Sequence, residues 1–122
     1  MAKFEKTVVG DFNRIVHELD KAIMSSGVSM ELVDENTYMT GDIQIVVRVY
    51  DKYFMRNSSR ASLSLTVVGN DDSVYISAIG AGGSQGVIFN FSWGAESELV
   101  DIVSNCLSQM GLYNYVILHQ SQ

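Results

Sequence analysis

The sequence predicts an α+β fold: an antiparallel β-sheet of five to six strands with two helices packed on one face, in the order β-α-β(4–5)-α. Three observations carry this expectation. Two segments, one near each end of the chain, place apolar residues at the helical period of 3.6. The long middle, from Val28 to Trp93, alternates with a period of two instead. An alternating sheet has one apolar face to bury, and two one-sided helices are the economical cover for it.

Each element follows in chain order. Residues 3–9, "KFEKTVV", alternate weakly and read as a short first strand. Asp11 then stands as a helix N-cap, because its carboxylate can accept from a backbone N–H left unpaired in the first turn. Behind it Phe12, Ile15, Val16, Leu19, Ala22 and Ile23 form one stripe, with Arg14, Glu18 and Lys21 on the wet side. Ser25, Ser26 and Gly27 end this helix, with Gly27 expected as a left-handed cap. "SMELVDENTYMTG" reads as a strand and turn. In "IQIVVRVYDKYF", Ile43, Ile45, Val47 and Val49 point one way and Gln44, Val46, Arg48, Tyr50 and Lys52 the other. "ASLSLTVVG" sets Ala61, Leu63, Leu65 and Val67 against Ser62, Ser64 and Thr66, and "SVYISAIG" sets Val74, Ile76 and Ala78 against Tyr75, Ser77 and Ile79. The connections "RNSSR" (56–60) and "GNDDS" (69–73) read as hairpin loops. "VIFNFSW" (87–93) reads as a further strand. Leu99, Ile102, Val103, Cys106, Leu107 and Met110 make the stripe of the second helix, with Glu96, Glu98 and Asp101 near its positive end and Gly111 as its stop. The tail from 113 to 122 is apolar enough to add a strand before it frays. The element order resembles the TATA-binding-protein-like and helix-grip arrangements, which implies an architecture and no function.

Composition narrows the function. The 122 residues suit one domain, expected to span 1–122. There is no proline, so proline-rich ligand segments are excluded. With 14 acidic and 8 basic residues the net charge is -6, which disfavours nucleic acid and anionic membrane as partners. The single cysteine, Cys106, forms no internal disulfide, and with only His17 and His119 beside it no zinc site is legible. Cys106 lies on the apolar stripe, where a buried, inert thiol is expected. No apolar run approaches the roughly 18 residues of a membrane span. A cytoplasmic protein without metal or cofactor is the expectation.

The stretch "ISAIGAGGSQGVIFNF" clusters Gly80, Gly82, Gly83 and Gly86. Counting from Gly80, a dinucleotide fingerprint needs its third glycine where Gln85 stands, and no Gly-Lys-Ser/Thr exists. The segment after the cluster reads as a strand, so no helix N-terminus faces a phosphate. The glycines are expected to shape a connection or to admit a close neighbour. Asp71 and Asp72 are turn formers. Asp34 and Glu35 fall in a strand-to-turn region and indicate exposure. No catalytic residue is assigned.

The remaining constellation is basic. Arg48, Lys52, Arg56 and Arg60 are four of the 8 basic residues. The alternation places Arg48, Tyr50, Lys52, Ser64, Thr66, Tyr75 and Ser77 on the sheet face opposite the helices, as an interface or ligand face. A homodimer is its simplest use. A small anionic ligand comes next, because cations concentrate there on an acidic chain, and nucleic acid is third. The functional expectation is a non-catalytic binding or self-associating module. Its rivals are a small-ligand carrier with a cavity between sheet and helices near Trp93 and the glycines, and an enzyme of unidentified chemistry.

The segments "GDF" (10–12), "VRVYDKY" (47–53), "LSLTVVG" (63–69) and "ISAIGAGGSQG" (76–86) resemble a small family of uncharacterised bacterial proteins, mainly from Firmicutes, known only as a domain of unknown function. The resemblance covers about residues 3–110. It implies a bacterial cytosolic protein and brings no activity, cofactor or site residue with it.

Overall fold

The chain begins with strand β1 (Ala2–Val9) and turns at Gly10 into helix α1 (Phe12–Met24). This computed structural model describes residues 2–27, 29–55, 58–82 and 93–114. Four strands follow, β2 (Met30–Thr40), β3 (Ile43–Phe54), β4 (Ser59–Asn70) and β5 (Ser73–Gly82), then helix α2 (Trp93–Met110) and a two-residue strand β6 (Tyr113–Asn114). All pairings are antiparallel and the spatial order is β2-β3-β4-β5-β1-β6. The α+β class and the β-α-β4-α order agree with the sequence expectation, and the tail contributes the sixth strand.

Local chemistry sets the element ends. Asp11 caps α1, its Oδ2 accepting from the Arg14 N–H at 2.9 Å. The other end differs from expectation. Gly27 is not left-handed; the Ser25 and Ser26 hydroxyls donate to the carbonyls of Lys21 and Ile23, each at 2.7 Å, and satisfy the last turn themselves. Gly27 instead leaves room for Lys52, whose Nζ would lie 2.8 Å from a Cβ there. Gly111, at φ 67°, does end α2 in the left-handed region. Asp71, at φ 57°, shapes the β4–β5 turn, and Gly41, also at φ 57°, the β2–β3 turn. The strand expected over 87–93 lies outside the described residues except for Trp93, which opens α2.

The core lies between the helices and the centre of the sheet. Leu63, Leu65 and Val67 of β4 and Val74, Ile76 and Ala78 of β5 are fully buried against Ile15, Leu19 and Ile23 of α1 and Leu99 and Val103 of α2. Each such aliphatic side chain contributes about 2 kcal/mol of apolar burial. Helix α2 packs on β4, β5 and β1, while α1 packs mainly on α2 and reaches β2 and β4. Cover therefore ends before the far edge of the sheet. Every residue of β2 after Met30 is exposed, whichever face it points to.

Candidate functional site

Strand pairing assigns each side chain to a face, because residues directly opposite each other project to the same side. Tyr38 pairs with Ile45, Ile45 with Val68, and Val68 with Tyr75. These four residues form a row across β2, β3, β4 and β5 on the face without helices. Neighbouring strands are about 4.8 Å apart, so the row spans about 14 Å. Asn36, Val47, Thr66, Ser77 and Glu5 form the next row, and Asp34, Val49, Ser64, Ile79 and Lys3 the one after. The open face is thus an apolar band on β3 bordered by small hydroxyl side chains. Tyr75 donates from its hydroxyl to Glu5 Oε1 at 2.7 Å. That bond, with a lesser contribution from burial, raises the phenol above its ordinary pKa. At the rim Arg60 meets Asp51 at 3.0 Å and lies 5.8 Å from the Tyr53 ring centre.

Four of the seven residues expected on this face, Ser64, Thr66, Tyr75 and Ser77, are there. Arg48, Tyr50 and Lys52 are not. They pair with Leu65, Leu63 and Ala61, all core residues, and so project toward the helices. The cause is the connection between β3 and β4. Phe54 pairs with Ser59 across residues 55–58, whereas the sequence predicts the loop over 56–60. A connection shorter by one residue inverts which residues share a face. Arg56 lies outside the described residues.

Turned inward, these three residues tie α1 to the sheet. Tyr50 is fully buried and donates to Asp20 Oδ1 at 2.7 Å. Burial, then this bond to a carboxylate, push its phenol well above the ordinary value. Arg48 Nη1 lies 3.6 Å from the same Asp20 oxygen, and its Nε lies 3.5 Å from Glu35 Oε1. Burial works against the guanidinium charge, but the Tyr50 hydroxyl and the Glu35 and Asp20 carboxylates outweigh it and raise the Arg48 pKa. Arg48 Nε is buried without a hydrogen bond of acceptable geometry. Lys52 donates to the Ser26 carbonyl at 3.3 Å, where the C-terminus of α1 favours a cation, and its ammonium sits 4.9 Å from the Phe54 ring centre. The sequence reading did not connect Asp20 and Glu35 with this cluster. Pairing β2 with β3 outward from the Gly41–Asp42 turn puts Glu35 opposite Arg48, so that turn held the missing signal. Asp34 and Glu35 sit within β2, not at its end.

Among the described residues, hollows lie near α1 in two places. One, of about 250 Å³, lies at the free end of the β2–β3 hairpin, lined by Phe12 and Asn13 with Thr37, Met39, Gln44 and Val46 among others. Phe12 covers Gly69, where an added Cβ would meet its ring at 2.6 Å, and the hairpin end beyond it stays uncovered. The other, a polar groove between α1 and α2, includes Glu18, Lys21 and Cys106. Cys106 is half-buried there rather than fully buried, with its Sγ 3.6 Å from the Glu18 carbonyl. Burial and the Glu18 carboxylate raise its thiol pKa.

In the glycine cluster, Gly80 faces α2. A Cβ there would lie 2.7 Å from the Glu96 carbonyl oxygen, so its role is close helix–sheet packing. The Gly82 N–H donates to the Glu96 carboxylate at 2.6 Å. Gly83 and Gly86 lie outside the described residues, as does most of the region expected to hold a carrier cavity. Among the described residues no group of three His, Cys, Asp or Glu side chains converges on a metal position. No helix among them is long and apolar enough to cross a membrane.

Fold and surface together define an α+β chain with one helix-covered sheet face and one open face. The chain belongs to the family of unknown function DUF6054, whose model matches residues 1–111. Neither the curated proteins nor the solved structures contain a match to it.

Proposed function

We propose that this chain is a non-catalytic binding module of the bacterial cytoplasm that self-associates through the open face of its sheet. The observation that carries this reading is the row Tyr38, Ile45, Val68 and Tyr75, two aliphatic residues between two tyrosines, which Thr7 of β1 extends. Tyrosine is enriched in interfaces because it combines apolar area with a polar tip. Ser64, Thr66 and Ser77 are small enough to let a second sheet approach closely. A two-fold pair of such faces is the commonest closed assembly of soluble chains. An anionic ligand loses its motive, since Arg48 and Lys52 are turned inward and engaged with α1. The net charge of -6 weighs against nucleic acid. A lone cysteine suits a reducing compartment, and the resemblance of its segments to a bacterial family favours a bacterial origin.

Sedimentation equilibrium tests the proposal. The expected mass is twice the 13.5 kDa of the chain. Val68→Lys places a charge at the centre of the row and is expected to return the mass to one chain while leaving the far-UV spectrum unchanged. A native protein that remains a monomer at millimolar concentration overturns it.

A further inference from the structure

We infer that the free edge of β2 accepts an extended, lysine- or arginine-bearing segment of a partner protein as an added strand, docked beside the hollow at the hairpin end. Three independent features of the edge converge. First, β2 pairs only with β3 among the described residues, so its other side presents backbone groups that no strand pairs along an 11-residue strand, with the Glu35 N–H donating to Asp34 Oδ1 at 2.8 Å. Neither face of the strand is covered past Met30; Val33, Tyr38 and Met39 are 58%, 62% and 67% exposed. Second, Thr37 and Met39 point to the helix side and border the 250 Å³ hollow that Phe12 and Asn13 close from the other wall. An added strand thus has main-chain partners along the edge and a place for one apolar side chain beside it, the two components of strand-addition recognition. Third, β2 carries Glu31, Asp34 and Glu35 and no cationic residue. Of these, Glu35 meets Arg48, while Glu31 and Asp34 have no cationic partner among the described residues.

Charge selects the occupant. A second copy of β2 carries no cation to set against Glu31 and Asp34. A segment alternating cations with β-branched residues instead neutralises Glu31 and Asp34 while its apolar positions reach the hollow. The register shift between Leu32 and Asp34 twists the edge locally, so the segment pairs along the regular part from Asp34 to Thr40 and its end carries a cation past the shift to Glu31. This inference does not rest on self-association, because the edge stays free when the open faces pair.

The test uses two fluorescein-labelled heptapeptides, KVKVTVK and its acidic counterpart EVEVTVE, titrated with the full chain at low and high salt. The basic peptide is expected to bind at least about tenfold more tightly than the acidic one, with the preference shrinking as salt screens it. Amide shifts are expected to concentrate on residues 34–40 and around Phe12. Glu31→Lys combined with Asp34→Lys reverses the preference; both positions are exposed, so the fold is retained. Val68→Lys leaves peptide binding unchanged, which separates this result from the mass measurement above. Equal affinity for the two peptides, indifference to the charge reversal, shifts centred on the Tyr75 face, or dimerisation through β2 itself each overturn the inference.

Discussion

Each face of the sheet holds a tyrosine that donates a 2.7 Å hydrogen bond to a carboxylate, Tyr50 to Asp20 on the covered face and Tyr75 to Glu5 on the open one. The distances are the same and the consequences differ. Tyr50 is fully buried, so burial leads the rise of its pKa and the bond compensates a phenol that no water can reach. At Tyr75 the bond itself leads, because water competes for both partners. The same pair of chemical groups is structural where a helix covers it and close to interchangeable where none does. What a polar contact contributes is set by the layer above it, and among the described residues that layer is present on one side only.

The comparison breaks most visibly at positions where bulk is added on opposite faces of one strand pair. Gly80→Val drives a side chain into the α2 backbone and is expected to destabilise by about 3 kcal/mol in urea unfolding. Ser64→Val on the open face has no helix above it and is expected to change stability by about 0.5 kcal/mol or less. Equal losses at the two sites would mean that the open face is covered in solution.

The tyrosines sharpen it further. Tyr50→Phe leaves Asp20 without its donor and is expected to cost about 1–2 kcal/mol, against about 0.5 kcal/mol or less for Tyr75→Phe. The pH dependence follows from the same geometry. A native Tyr50 pKa above that of the unfolded chain means the native state holds its proton longer. The Tyr50 contribution to stability is therefore full below about pH 10 and falls as pH rises beyond it, above a separate loss that the raised Cys106 thiol adds from about pH 9. Tyr50→Phe is expected to remove most of that alkaline slope, whereas Tyr75→Phe leaves it nearly unchanged. The smallest effect belongs to Arg60→Gln. Its partner Asp51 is 3.0 Å away, but the Arg60 side chain is 57% exposed, and a change of about 0.5 kcal/mol or less in thermal unfolding is expected.

The two halves of the sheet also differ in how far they can be read before folding. In β4 and β5 one side is leucine, valine and isoleucine and the other is largely serine, threonine and tyrosine, so alternation alone identifies the buried face. In β3 both sides carry β-branched residues, Ile43, Ile45, Val47 and Val49 on one and Val46 on the other. Hydrophobicity does not choose between them, and the cations on the Val46 side pointed the reading outward. Arg48, Tyr50 and Lys52 face inward because α1 offers Asp20, the Ser26 carbonyl and its own C-terminus there. Ser64, Thr66, Tyr75 and Ser77 were legible as open-face residues because their strands are unambiguous.

The sequence by itself determined most elements and several of their ends: the Asp11 cap, the Gly111 stop, the Asp71 turn and the apolar stripes of α1 and α2. These depend on neighbours a few positions away, and their chemistry is local. Only the tertiary structure decided which side of β3 faces the core, and with it which residues border the open face. That choice depends on one residue of length in the β3–β4 connection and on partners contributed by α1, far away in the chain. It also decided that β2 is left bare past Met30, because α2 lies over β1, β4 and β5 and α1 reaches β2 without covering it.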